Sequence, residues 1–147
     1  MKRFKQYKQG IFHPHNVNKY IGTLPIVYRS SLELSFDRWC DRNYNVLQWG
    51  SESIKIPYVS PKDGKVHQYY TDAVVVLKTP EGSKKIIVEI KPSKQLQPPT
   101  QHGNKKMSTK IYEQVTYAVN MSKWEHARAW CKRNGYDFVI LTEKDLR

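Results

Sequence analysis

The chain has 147 residues and a net charge of +12, long enough for one domain with a real core and basic enough to point to a polyanionic partner, nucleic acid before membrane. No apolar run approaches the ~20 residues of a membrane span, and the basic amino terminus lacks the apolar segment of a secretory signal, so neither a membrane nor a secreted protein is expected. Cys40 and Cys131 lack metal-ligand spacing and read as reduced core thiols.

Residues 1–24 interleave Lys2, Arg3, Lys5, Lys8 and Lys19 with Phe4, Tyr7, Phe12 and Tyr20, and no acid precedes Glu33. No helix or strand period is sustained. This is expected to be a basic arm that either lies over the domain or orders on a partner through phosphate contact and base stacking, ahead of a single domain over 25–147. His13 and His15 flank Pro14 and make a weak metal pair. Residues 30–41 turn helical, with Ser30 or Ser31 as cap. Leu32, Phe36 and Trp39 form an apolar stripe that Glu33 and Cys40 border, and Asp37, Arg38, Asp41 and Arg42 are expected in solvent. A first-turn acid such as Glu33 ordinarily serves the cap or the helix dipole.

Short strands follow at 46–49 and 54–59, the second limited by Pro57, then a Pro61–Gly64 turn. Residues 68–91 hold two β-branched apolar runs around a Pro80-Glu81-Gly82 turn, a hairpin signal. These strands are expected to form an antiparallel meander. Residues 93–106 read as a basic loop with Pro98-Pro99, Lys94, Lys105 and Lys106. Two helices are expected at 108–119 and 123–134, broken at 120–122. Ile111, Gln114, Val115 and Ala118 would lie on the inward side of the first. Ser122 would cap the second, with Trp124, Ala127 and Cys131 inward, Lys123, Arg128, Lys132 and Arg133 outward, and Gly135 just past its end. A strand at 137–141 that returns after helices joins the same sheet. The order implies an α/β fold with a mixed central β-sheet flanked by α-helices.

The chemistry concentrates in 68–91. With the turn centred between Pro80 and Glu81, Asp72 faces Glu89, and directly opposed residues have Cβ atoms about 5 Å apart. Two carboxylates that close repel unless a cation lies between them. Lys91 is two residues on and shares the face. Glu33 on the preceding helix completes a set of hard oxygen donors suited to Mg²⁺, which binds through one or two carboxylates plus substrate phosphate. A divalent cation there would neutralise the pair, lower the pKa of a water and polarise a scissile phosphate. Lys91 would stabilise the charge on phosphorus, or position or deprotonate the water. Arg29, Ser30, Ser51 and Lys94 are candidate phosphate contacts by their nearness to this set. The structural alternative is that Glu89 and Lys91 form an ion pair on an exposed edge.

Glu33, Thr71-Asp72 and Val88-Glu89-Ile90-Lys91 together resemble the PD-(D/E)xK nuclease superfamily, with Thr71 where the motif name has Pro. Asn18-Lys19-Tyr20, residues 23–30, Trp49-Gly50-Ser51-Glu52, Ile56-Pro57-Tyr58, Glu89-Ile90-Lys91-Pro92, Gln97-Pro98-Pro99, Ser122-Lys123-Trp124 and Ile140-Leu141-Thr142-Glu143 are similar to the head completion nucleases of T-even-type tailed phages. The resemblance implies a restriction-endonuclease-like core and a Mg²⁺-dependent deoxyribonuclease, with Mn²⁺ as a substitute. It implies metal ligation by Asp72, Glu89, Glu33 and the Ile90 backbone carbonyl, Lys91 completing the site, and Gln114 as a supporting helix residue. It further implies action on double-stranded packaged DNA before head–tail joining, in the cytoplasm of the infected bacterial host, alongside portal or neck proteins. A competing reading is a non-catalytic DNA- or portal-binding connector with a relic nuclease fold. An RNA-binding module is disfavoured, since no aromatic sheet motif is present.

Overall fold

The structure, a computed structural model, describes residues 9–51, 54–100 and 103–146. In chain order it has β1 (Gly10–Phe12), β2 (Ile26–Tyr28), α1 (Ser31–Arg42), β3 (Val46–Ser51), β4 (Lys55–Val59), β5 (Val66–Tyr70), β6 (Ala73–Thr79), β7 (Gly82–Ile90), α2 (Met107–Asn134), β8 (Tyr136–Leu141) and α3 (Glu143–Leu146). Short 3₁₀ turns cover Val17–Lys19 and Ser93–Leu96.

The central sheet has the order β3-β6-β7-β8. Its first three strands are antiparallel and β8 joins β7 in parallel, so the sheet is mixed. The return strand needs a crossover, and α2 supplies it. Both faces are covered, and the successive residues Ala73, Val74 and Val75 are all buried, the pattern of a strand packed on two sides. On one face Phe36 and Cys40 of α1 pack with Val46, Trp49, Ala73, Val75 and Val88. On the other, Trp124, Ala127 and Cys131 of α2 pack with Ile87 and with Ile56, Tyr58 and Tyr69 of the β4–β5 hairpin. Cys40 and Cys131 are both buried free thiols.

The β6–β7 hairpin pairs Ala73 with Val88 and Thr79 with Gly82, the register expected from a turn at Pro80-Glu81. The meander is corrected. β4 and β5 pair only with each other in a two-stranded sheet. The run into the first arm breaks at Thr71, which is fully buried and sends its N–H and hydroxyl to the Ile54 carbonyl, at 3.1 and 3.0 Å. That anchor turns the chain from one sheet into the other. The expected break at 120–122 is also corrected. α2 runs 28 residues without interruption and ends at Gly135, whose φ of 78° is left-handed. Asn120, Met121 and Ser122 include neither Gly nor Pro, so only weak propensity stood against the helix. Ser122 does not cap: its hydroxyl donates to the Val59 carbonyl at 2.6 Å.

The expected basic arm falls partly outside the described residues, including Lys2, Arg3, Phe4, Lys5, Tyr7 and Lys8. Its described part lies over the domain. β1 pairs with β2, Tyr20 meets Trp49 edge-on at 4.8 Å, and Asp41 receives the backbone N–H groups of His15 and Asn16, both at 2.9 Å. Asn16 and Lys19 side chains donate to the Asp41 carbonyl. Asp41 and Asp37, expected in solvent, are therefore corrected: both are buried. The strap over α1 covers the face that a solvated helix would show. Trp39, expected in the apolar stripe, is 41% exposed.

Removing the Asp41 carboxylate leaves two backbone donors without their acceptor. Asp41→Ala is expected to destabilise the fold by about 2–4 kcal/mol, read by urea denaturation. A loss under about 1 kcal/mol would mean the strap does not depend on this residue.

Candidate active site

The β6–β7 register brings the expected acids together where the strands end. Ala73 faces Val88, so Asp72 and Glu89 follow side by side. Asp72 accepts the Ile90 N–H at 2.7 Å, which fixes its carboxylate against the last residues of β7. Glu89 is 4% exposed. One of its oxygens accepts the Tyr69 hydroxyl of β5 in a short hydrogen bond, and the other lies 3.4 Å from the Lys91 ammonium. Strand alternation puts Glu89 on the face of Ile87, toward α2 and the β4–β5 hairpin. Asp72 has left the strand and reaches a cavity on the other side as well.

That cavity, of about 330 Å³, is lined by polar residues Arg29, Glu33, Asp37, Ser51 and Asp72, and by Ile90, Tyr20 and the 23–27 loop among others. Glu33 has two local duties. Its N–H donates to the Ser30 hydroxyl at 3.1 Å, and its carboxylate accepts the Arg29 N–H at 2.8 Å. It caps the helix and borders the acid cluster at once. Asp37 lies one turn further along α1, on the same side.

The electrostatics follow from burial. Desolvation, then Glu89, pushes the Asp72 carboxyl up to about 7. Desolvation, then Glu33, pushes Asp37 up to about 8. The Tyr69 phenol is raised by burial and by Glu89, which keeps it a hydrogen-bond donor. Lys123 of α2, expected outward, is corrected: it is half-buried, its ammonium 5.7 Å from the ring centres of both Tyr58 and Tyr69. Burial and then Lys91 lower its pKa. Downstream, Glu143 accepts the Ser93 N–H at 2.9 Å and its hydroxyl, which holds the Glu143 carboxyl down to about 2. That clamp ties the chain just after Lys91 to the start of α3.

Some expected site residues lie elsewhere. Ser30 is committed to the cap. Lys94 is exposed on the 3₁₀ turn after β7 and does not line the cavity. Gln114 is corrected: it is exposed on α2 and lies outside the cavity. Ile111 and Ala118 of the same expected inner face are also exposed. Tyr69, Lys123 and Asp37 were missed. The four-residue spacing from Glu33 to Asp37 was a readable signal. The Tyr69–Glu89 contact had none, since it joins two different sheets.

Among the described residues, no three acidic, histidine or cysteine side chains converge as a ready metal cage. The donor chemistry nevertheless fits a hard cation completed by water and phosphate. Asp72 and Glu89 are neighbours, Glu89 buried and Asp72 half-buried, with one lysine, Lys91, at contact distance from Glu89.

Residues 43–143 match the family described as TnsA-like endonuclease N terminal. The chain is also 37% identical over 145 residues to the head completion nuclease of Enterobacteria phage T4, a match covering 94% of this chain and 93% of that protein.

A raised carboxyl in the folded state ties pH to stability. Asp37 takes its proton more tightly when folded, so its contribution is present below about pH 4 and is lost as the pH climbs through about 8. Metal-free protein is expected to lose on the order of a few kcal/mol across that window, and Asp37→Asn to flatten the loss. Urea titrations in chelator at about pH 5 and about pH 8 check this. Equal wild-type stability at both would contradict it.

Proposed function

The chain belongs to the TnsA-like endonuclease family, and from that premise we propose that it is a DNA nuclease that works with a divalent cation held by Asp72 and Glu89. Its fold is restriction-endonuclease-like. The observation that carries the reading is the pair of half-buried Asp72 and buried Glu89 beside Lys91 at the ends of adjacent strands. Few sequences bury two acids side by side without a purpose for the charge.

Asp72 and Glu89 would hold the cation, with the Ile90 carbonyl as a third protein oxygen and Glu33 across the cavity. When bound, Mg²⁺, or Mn²⁺ in its place, supplies neutralisation of the pair and an activated water. Each protein group then has a task. The Ile90 N–H orients Asp72, and the Tyr69 hydroxyl orients Glu89. Lys91, anchored on Glu89 and half-exposed, presents its ammonium to the charge that builds on the phosphate. Arg29 and Ser51, at the cavity wall, would hold flanking phosphates, with Lys94 further out.

The biological setting rests on the T4 relative. An identity of 37% over nearly the whole of both chains to a protein named head completion nuclease supports a role for this chain in cleaving DNA at the phage head, which we place before head–tail joining. It would act in the host cytoplasm, with portal or neck proteins as partners.

Purified protein is expected to cut double-stranded DNA with Mg²⁺ and to stop in EDTA. Asp72→Ala, Glu89→Ala and Lys91→Ala should each lose about 100-fold or more of the cutting rate while duplex binding persists. Wild-type rates in these variants would sink the site assignment. No cutting with any divalent metal would leave a DNA-binding connector as the better account.

A further inference from the structure

The β4–β5 hairpin stands apart from the central sheet and has two unlike faces. Its inner face, Ile56, Tyr58 and Tyr69, is buried with Trp124 and Ala127 of α2. Its outer face is built from three cross-strand pairs: Lys55 with Tyr70, Pro57 with Gln68, and Val59 with Val66. All six are exposed. Val66 and Tyr70 are 68% and 59% open to solvent, more than an idle β surface next to a catalytic cleft calls for. The Lys55 ammonium lies 5.8 Å over the Tyr70 ring. At the tip, Lys62 and Lys65 are exposed, and the one acid, Asp63, is already taken by His67 at 2.8 Å.

We propose that this outer face is a duplex-DNA contact that seats the hairpin in a groove beside the scissile phosphate. The proposal rests on the nuclease reading above and extends it to a surface outside the cavity. Three observations support it. The charge is complementary, with Lys55, Lys62 and Lys65 against the single acid Asp63 along one ribbon. The ribbon is rigid, since its inner face is packed and the Val59 carbonyl is fixed by Ser122. The ribbon is also continuous with the site. β5 passes through the Thr71 anchor directly into Asp72, and Tyr69 of the same strand holds Glu89. A duplex that offers a phosphate to Asp72 and Lys91 has this hairpin as its neighbour. The major groove, about 12 Å wide, admits a two-stranded ribbon, and five residues span about 17 Å of it. Lys62 and Lys65 would meet phosphates, while Tyr70 and Gln68 would meet the groove.

Full-length protein titrated with duplex DNA in EDTA, over a series of salt concentrations, tests this without cleavage. Lys62→Ala/Lys65→Ala is expected to weaken binding at least tenfold and to lower the salt slope by about 1.8, from about 0.9 per phosphate contact. Tyr70→Ala is expected to weaken binding with the slope retained. Thermal unfolding checks that these exposed changes leave the fold intact. Affinity and slope like wild type in both variants would overturn the hairpin contact. Cutting by wild type, measured in parallel with Mg²⁺, separates the two proposals. Protein that binds through the hairpin and never cuts upholds the DNA surface and removes the nuclease reading.

Discussion

Two carboxylates held side by side in a poorly hydrated place are the constraint on which this molecule turns. Asp72 and Glu89 repel each other, and burial raises the cost of ionising both. The fold meets that cost in part. The Ile90 N–H bonds Asp72, the Tyr69 hydroxyl bonds Glu89, and Lys91 lies 3.4 Å from Glu89. None of these cancels the second negative charge. An acid pair held this way takes up either a proton, as the raised Asp72 carboxyl shows, or the divalent cation proposed above.

Much of the architecture serves to keep that pair together. The two-residue turn at Pro80-Glu81 fixes the β6–β7 register, and a slip of one residue would send Asp72 to the opposite face. Thr71 pins the point where the chain leaves the small hairpin for the central sheet. The Ser93–Glu143 clamp restrains the chain beyond Lys91. The helix α1 brings Glu33 to the cavity wall while using the same side chain to close its own first turn. Cap and site therefore share a residue, and neither role excludes the other.

The sequence was most readable where contacts are local. The turn, its register and a serine cap at 30 or 31 follow from spacing and propensity within a few residues, and the strand after α2 follows from its apolar run. It was least readable where layers meet. Asp37 and Asp41 look solvated in a helical projection, yet both are buried, Asp41 under the strap whose N–H groups it accepts and Asp37 in the cavity wall beside Glu33 and Asp72. Residues 120–122 look like a break because their propensity is weak, and packing of Trp124 and Ala127 carries the helix through. The separation of β4–β5 from the central sheet, and with it the Tyr69–Glu89 bond and the burial of Lys123, depends on long-range pairing that no local pattern encodes. The TnsA-like match over residues 43–143 begins after α1, and Glu33 is part of the candidate site through its place on the cavity wall.

The central claim is that the Asp72–Glu89 pair is a cation site. Anomalous diffraction from a crystal soaked in Mn²⁺ tests it most directly. The account predicts a peak between the Asp72 and Glu89 carboxylates that disappears in the Asp72→Asn variant. An empty space there at saturating Mn²⁺, with both side chains ordered, would contradict it.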